Sequence, residues 1–229
     1  MSISPVKLWA LLKKDIKDTL KNPQCLLMMG LPLVFALLYQ SMDLGMPGEY
    51  VLMLCLLMNM SITGVSCMAM MIAEEKEKYT LRTLMLSNVS AAEFLLSKAL
   101  VVLGITELGS LLIFFITGSD AALLPRYLAV TIATCLCLLI LGALVGIISK
   151  NQMTTGIFAA PAMLILMLPP MLAEIDATYL QVARFTPTYS MVNLLFKEGD
   201  RLFSIAVLAG WIVLSALLFA LAYRRKRLD

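Results

Sequence analysis

Histidine is absent from this 229-residue chain, aromatic residues make up 8% of it, and only 14% of its residues are charged. Each scarcity excludes something. Without histidine nothing completes a zinc or haem site, and the commonest acid–base catalyst is missing. The five cysteines, Cys25, Cys55, Cys67, Cys135 and Cys137, are odd in number and all fall inside apolar runs. They read as small packing residues rather than a redox or metal centre, and Cys135 and Cys137, two apart, point to different faces of a helix. A phosphate loop ending in Gly-Lys-Ser/Thr is also missing. Gly104 and Gly109, followed by Ser110, have its outer spacing, but no lysine stands there and the stretch is apolar. No catalytic residue, metal or cofactor is expected on this chain.

Low charge combines with 61% hydrophobic residues and a mean hydropathy of +0.91, whereas soluble domains carry about a quarter charged residues. The apolar residues are gathered into six stretches: 24–41, 50–72, 95–117, 126–149, 153–172 and 202–222. Each is close to the ~20 residues that a helix needs to cross a bilayer, and backbone groups in lipid must be satisfied within a helix or a closed barrel. The pattern predicts an all-α integral membrane protein with six transmembrane helices in a single domain over 1–229. The segment before the first stretch is too long for the basic region of a signal peptide, and no small-residue cleavage site follows Tyr39, so this stretch reads as a retained helix.

Lysine and arginine orient the spans, because they collect on the cytoplasmic side. Lys7, Lys13, Lys14, Lys17 and Lys21, then Lys76, Lys78, Arg82 and Lys98, then Lys150, then Arg224, Arg225, Lys226 and Arg227 fall on one side; Arg126, Arg184, Lys197 and Arg201 fall on the other. Both termini are therefore expected in the cytoplasm. The net charge of +3 is where this rule places it, and no nucleic-acid partner is implied.

Residues 5–21 recur as a helix with Leu8, Leu11, Leu12, Ile16 and Leu20 on one side and Lys13, Lys14, Lys17 and Lys21 largely opposite. This predicts an interfacial helix within 1–23, with Trp9 at headgroup level and lysines towards anionic lipid. Between the second and third spans, 73–90 begins with a charged run and continues with Leu81, Leu84 and Met85 on one face beside Thr80, Arg82 and Thr83, which suggests a short docking helix. Ser90 and Glu93 form a capping-box pattern, so the next helix starts near Ala91.

Within the spans, Asn59, Thr63 and Ser66 share a helical face, as residues that glue helices together or line a path do. Glu107 is an ionisable residue midway along the third span, facing either a pathway or a structural hydrogen bond from Thr106 or Ser110. Met163, Met167 and Met171 make a stripe that serves either packing or an adaptable greasy surface. Pro161, Pro169 and Pro170 are expected to bend or end the fifth span, and Gly142 and Gly146 permit a close helix contact.

An amphipathic first helix, six spans, the run Glu74, Glu75, Lys76, Glu77 and Lys78, then Thr80, Leu81 and Leu84, and then Val89, Ser90, Glu93 and Lys98 together resemble the membrane subunit of ABC-2 type exporters. Two residues depart from that pattern: Tyr79 stands where glycine is common and Asn88 where proline is common. Residues 173–201, with Phe185, Thr186, Pro187, Thr188 and Tyr189, look like the family's outer re-entrant helices. The resemblance implies a bacterial plasma-membrane permease paired with a second permease copy. A separate ATP-binding subunit would hold the Mg-ATP and dock on a coupling helix within 74–90, through Glu74, Glu75, Glu77, Thr80, Leu81, Leu84 and Met85. Small permeases of this kind are similar to exporters of toxin-like or antimicrobial peptides, drugs or lipids, and peptides are favoured here, with Asn59, Thr63, Ser66, Glu107, Met163 and Met167 as path candidates. Two other classes remain open. One is an ion-coupled carrier in which Glu107 takes the proton; the other is a non-transporting scaffold.

Overall fold

The computed structural model describes residues 3–42, 45–80, 84, 86–196 and 199–226, and among these there is no strand. Leu81, Met85, Arg82, Thr83 and Lys197 lie outside the described residues. Helix α1 (Pro5–Lys21) opens with proline at its first turn, where the missing N–H costs nothing. It turns into α2 (Pro23–Ser41) at Asn22, whose side chain accepts from the Gln24 and Cys25 amides at 3.0 and 3.3 Å. Helix α3 (Gly48–Glu77) follows, then α4 (Ala91–Ile116), α5 (Leu124–Ile148, entered through a 3-10 turn at Ala121–Leu123) and α6 (Gln152–Ile175). A second 3-10 turn (Ala177–Tyr179) leads into the short helices α7 (Leu180–Ala183) and α8 (Pro187–Phe196), and α9 (Arg201–Lys226) closes the described chain. Six of these helices, α2 to α6 and α9, are long and apolar enough to cross a membrane.

The centre of the bundle is α3. Val51–Leu57 and Met68–Ala73 are buried on every side, which requires neighbours all round, and α2, α4, α5 and α6 supply them. Close approach to α5 depends on Gly142 and Gly146: a Cβ there would sit 2.6 Å from the Val65 carbonyl oxygen and 2.9 Å from that of Ala69. The expected glycine contact is present, and these two positions admit no side chain.

The structure refines three expectations. The second apolar run ends at 72, but α3 continues to Glu77, so the charged run begins as helix. The prolines do not end α6, which runs through Pro161, Pro169 and Pro170 to Ile175; membrane helices tolerate such interruptions where neighbours satisfy the freed carbonyls, and the Leu166 carbonyl accepts from the Thr188 hydroxyl. Asn59, Thr63 and Ser66 lie in a stretch, Asn59–Cys67, wound as a π-helix rather than a regular α-helix, and they bond to three different helices, α4, α2 and α6. All five cysteines are buried and free.

Candidate functional site

Charged side chains are concentrated at the end of the bundle where α1 lies across the start of α4 and the end of α3. Every residue of the run Glu74–Lys78 reaches a different structural element or neighbour. Asn22, at the α1–α2 corner, donates to Glu74 Oε2 (3.0 Å) and to Gln152 Oε1 (3.1 Å). Lys76 donates to the carbonyls of Gly146, Ile147 and Ser149 at 2.8, 2.5 and 3.0 Å, so a cation closes the C-terminus of α5, where the helix dipole favours it. Glu77 accepts from the Gln152 amide at the N-terminus of α6 (2.9 Å), the complementary placement. Lys78 returns to Glu74.

Glu75 makes the densest contacts. It pairs with Lys14 of α1, accepts from Lys98 Nζ of α4 (3.0 Å) and accepts from the Thr80 hydroxyl. Lys98 also reaches Asp15 (2.9 Å), which accepts from Ser97 (2.7 Å) and lies 3.9 Å from Lys14. The result is a closed ring of alternating charge, Lys14–Glu75–Lys98–Asp15, joining three helices. Lys98 and Asp15 are each 2% exposed and Glu75 5%. Unpaired charges at that depth would cost several kcal/mol each, and alternation gives each one two opposite neighbours. Lys14, at the rim, has its pKa lowered by burial, while the hydrogen bonds and charges of Glu75, Asp18 and Asp15 together raise it, and the net shift is upward. A cleft of about 190 Å³ opens beside the ring, lined by Asp18, Thr19, Met71, Lys78 and Thr80 among others.

The segment that leaves α3 here is anchored at both ends, by Glu75 of α3 at its start and by the beginning of α1 at its far end. Thr80 binds Glu75 at one end; at the other, the Ser4 amide donates to Glu93 Oε1 (2.8 Å) and Lys7 donates to the Asn88 carbonyl (2.7 Å). The predicted capping box is present, with Ser90 and Glu93 exchanging bonds. Tyr79 and Asn88 both take left-handed backbone, φ 57° and 56°, a conformation that side chains other than glycine rarely adopt. They bracket the segment. Leu84 packs partly against the core, while Tyr79 and Leu86 are 84% and 79% exposed.

Of the residues singled out inside the spans, Ser66 and Met163 meet, while Asn59, Thr63 and Glu107 turn to other partners. Asn59 donates to the Thr106 carbonyl (2.8 Å) and Ser110 (2.9 Å) on α4, Thr63 donates to the Met28 carbonyl on α2 (3.2 Å), and Ser66 donates to the Met163 sulfur on α6 (3.2 Å). Met167 and Met171 pack partly buried against the core. Glu107 takes its hydrogen bond from Thr131 of α5 (2.8 Å), not from Thr106 or Ser110 as expected. Ser110 is engaged by Asn59 and the Thr106 backbone instead. Glu107 Oε1 and the hydroxyls of Thr106 and Ser61 have no hydrogen-bond partner among the described residues.

Sequence reasoning missed Asp15 and the burial of Lys98. The one available signal was Asp15 itself, an acid in line with Leu11 and Thr19 on the side of α1 that meets the bundle.

Six helices long and apolar enough to span, the second largely buried among the others, with an ion-paired corner at one end, define a multi-pass helical membrane protein. The model of the ABC-2 family transporter proteins matches residues 26–224, and the chain belongs to that family. It is the membrane permease component of an ABC-2 type transporter, a membrane domain rather than an ATPase domain. None of the curated proteins compared matches it.

Proposed function

We propose that the chain is the permease of an ATP-driven exporter, with segment 78–90 as the docking element for a separate ATP-binding subunit. The observation that carries this reading is the double attachment of that segment. Its root enters the charge ring through Thr80 and Glu75, its far end is tied through Asn88 and Glu93 to the start of α1, and Tyr79 beside the root and Leu86 near the far end are exposed. A push on the segment reaches α1, α3 and α4 together. Glu74, Glu75, Glu77 and Thr80 then act as the struts behind the docking surface, with Leu84 at its base and Leu81 and Met85 on the same segment.

The distribution of lysine and arginine supports a cytoplasmic side for this end, with α1 in the membrane surface and both termini inside, and the family resemblance supports a bacterial plasma membrane. At the outer end, α7 and α8 form the re-entrant element: Pro187–Leu195 is buried against α5, α6 and α9, and Trp211 donates to the Phe185 carbonyl (2.6 Å). Two copies would enclose the path for an amphipathic or hydrophobic cargo, of which a toxin-like or antimicrobial peptide is the class we favour. The wide exposure of apolar side chains on α2, α6 and α9 supports a partner copy as well as lipid.

The test is Mg-ATP hydrolysis by material purified from its native membrane through a tag on this chain. Hydrolysis carried by a co-purifying ATP-binding subunit is expected. An intact dimer with neither subunit nor hydrolysis would overturn the reading in favour of the ion-coupled carrier, for which Glu107, with Oε1 unpartnered, is the residue to titrate.

A further inference from the structure

Helix α1 presents three different sides. Leu11, Asp15 and Thr19 form the buried one. Val6, Trp9, Ile16 and Leu20 form an exposed apolar row, at 79%, 70%, 48% and 56% of full exposure. Lys13, Lys17 and Lys21, spaced by one turn each, form an exposed row along the edge of that apolar strip. The ionic and side-chain bonds of α1 run through Lys7, Lys14, Asp15 and Thr19, with Asp18 paired to Lys14. Among the described residues none reaches Lys13, Lys17 or Lys21.

A helix with a large apolar edge and an adjacent row of free ammonium groups fits a surface that is greasy below and negative above, and the anionic leaflet of a membrane is such a surface. A protein partner would need both an apolar groove and a row of acids at matching one-turn spacing. Lys14 and Asp15, members of the charge ring, lie in sequence between Lys13 and Lys17. Whatever holds the lysine row therefore also fixes the helix that closes the ring.

We propose that anionic phospholipid headgroups are a regulatory ligand of α1, bound through Lys13, Lys17 and Lys21, and that their occupancy sets how firmly α1 closes the Lys14–Glu75–Lys98–Asp15 ring behind the docking segment. The proposal rests on the cytoplasmic, interfacial placement of α1 given above. It does not require the ATP-binding subunit.

The test uses the full chain alone, reconstituted in phosphatidylcholine vesicles with or without phosphatidylglycerol, and follows amide hydrogen exchange of residues 5–21 and 74–80. Phosphatidylglycerol is expected to slow exchange in both segments. The effect should fade at high salt, as exposed charges are screened, and vanish in the triple variant Lys13→Gln/Lys17→Gln/Lys21→Gln, with each single change lowering apparent lipid affinity about fivefold. Equal protection in both vesicles, or a phosphatidylglycerol effect that survives the triple variant, would overturn the proposal. So would protection that appears only when an ATP-binding subunit is added, since the lysine row would then serve that protein. Absence of a co-purifying ATPase would break the exporter reading and leave this result unaltered.

Discussion

Helices α3 and α9 both pass for membrane spans by length and apolarity, yet 83% of the most apolar window of α3 is buried inside the bundle and only 11% of that of α9. Hydropathy reports that a segment avoids water; it does not say whether lipid or protein replaces the water. In α3, Asn59, Thr63 and Ser66 each find a partner on another helix, whereas α9 turns Leu202, Val213, Leu217 and Leu221 outward. The same contrast separates the two ends of the bundle. One end is laced by ion pairs among α1, α3 and α4; the other is held mainly by hydrogen bonds to backbone, such as Thr188 to Leu166 and Trp211 to Phe185.

Substitutions sharpen this contrast. The largest effect is expected at the ring: Lys98→Ala leaves Asp15 and Glu75 buried against Lys14 alone and should cost about 3–5 kcal/mol. Thermal unfolding can be followed by labelling of the five buried thiols. A loss under ~1 kcal/mol would mean that water already reaches the ring. Next come the glycines. Gly142→Ala drives a methyl into the Val65 carbonyl and should cost about 1–3 kcal/mol, while Gly210→Ala on α9 meets nothing within 4 Å and should be neutral or stabilising by up to ~1 kcal/mol. Equal effects at the two sites, in the same assay, would erase the distinction between α3 and α9. Ser90→Ala, which breaks the cap of α4, should cost about 1 kcal/mol.

Acidity gives the smallest effect. The Lys14 pKa is raised above 10.5 in the folded chain, so its contribution is fully present below 10.5 and is lost as pH rises through the higher folded value. Lys14→Gln should therefore lower stability at neutral pH and flatten the loss at strongly alkaline pH. An unchanged alkaline limb would remove Lys14 from the ring's energetics.

The six spans, the start of α4 at its capping box and the Gly142–Gly146 contact are legible in the sequence because each is a local pattern. The ring is not, because Asp15, Glu75 and Lys98 meet only after three helices pack, and a lysine near a helix start reads as a solvated charge. The run Glu74–Lys78 resembles an ordinary hydrophilic connector for the same reason: its partners lie elsewhere in the chain or about one turn away. Nothing local announces the π-helix at Asn59–Cys67 either. Its polar residues Asn59, Thr63 and Ser66 bond to three different helices, α4, α2 and α6.

Site-specific photo-crosslinking in native membranes tests the coupling role of the charged end most directly. Crosslinkers at Tyr79 and Leu86, 84% and 79% exposed, compare with crosslinkers at Ile175 and Leu202 at the other end, 77% and 80% exposed. The account predicts an adduct with an ATP-binding subunit from the first pair and none from the second. Adducts from Ile175 or Leu202, or none from Tyr79 and Leu86 in membranes where that subunit is present, would contradict it.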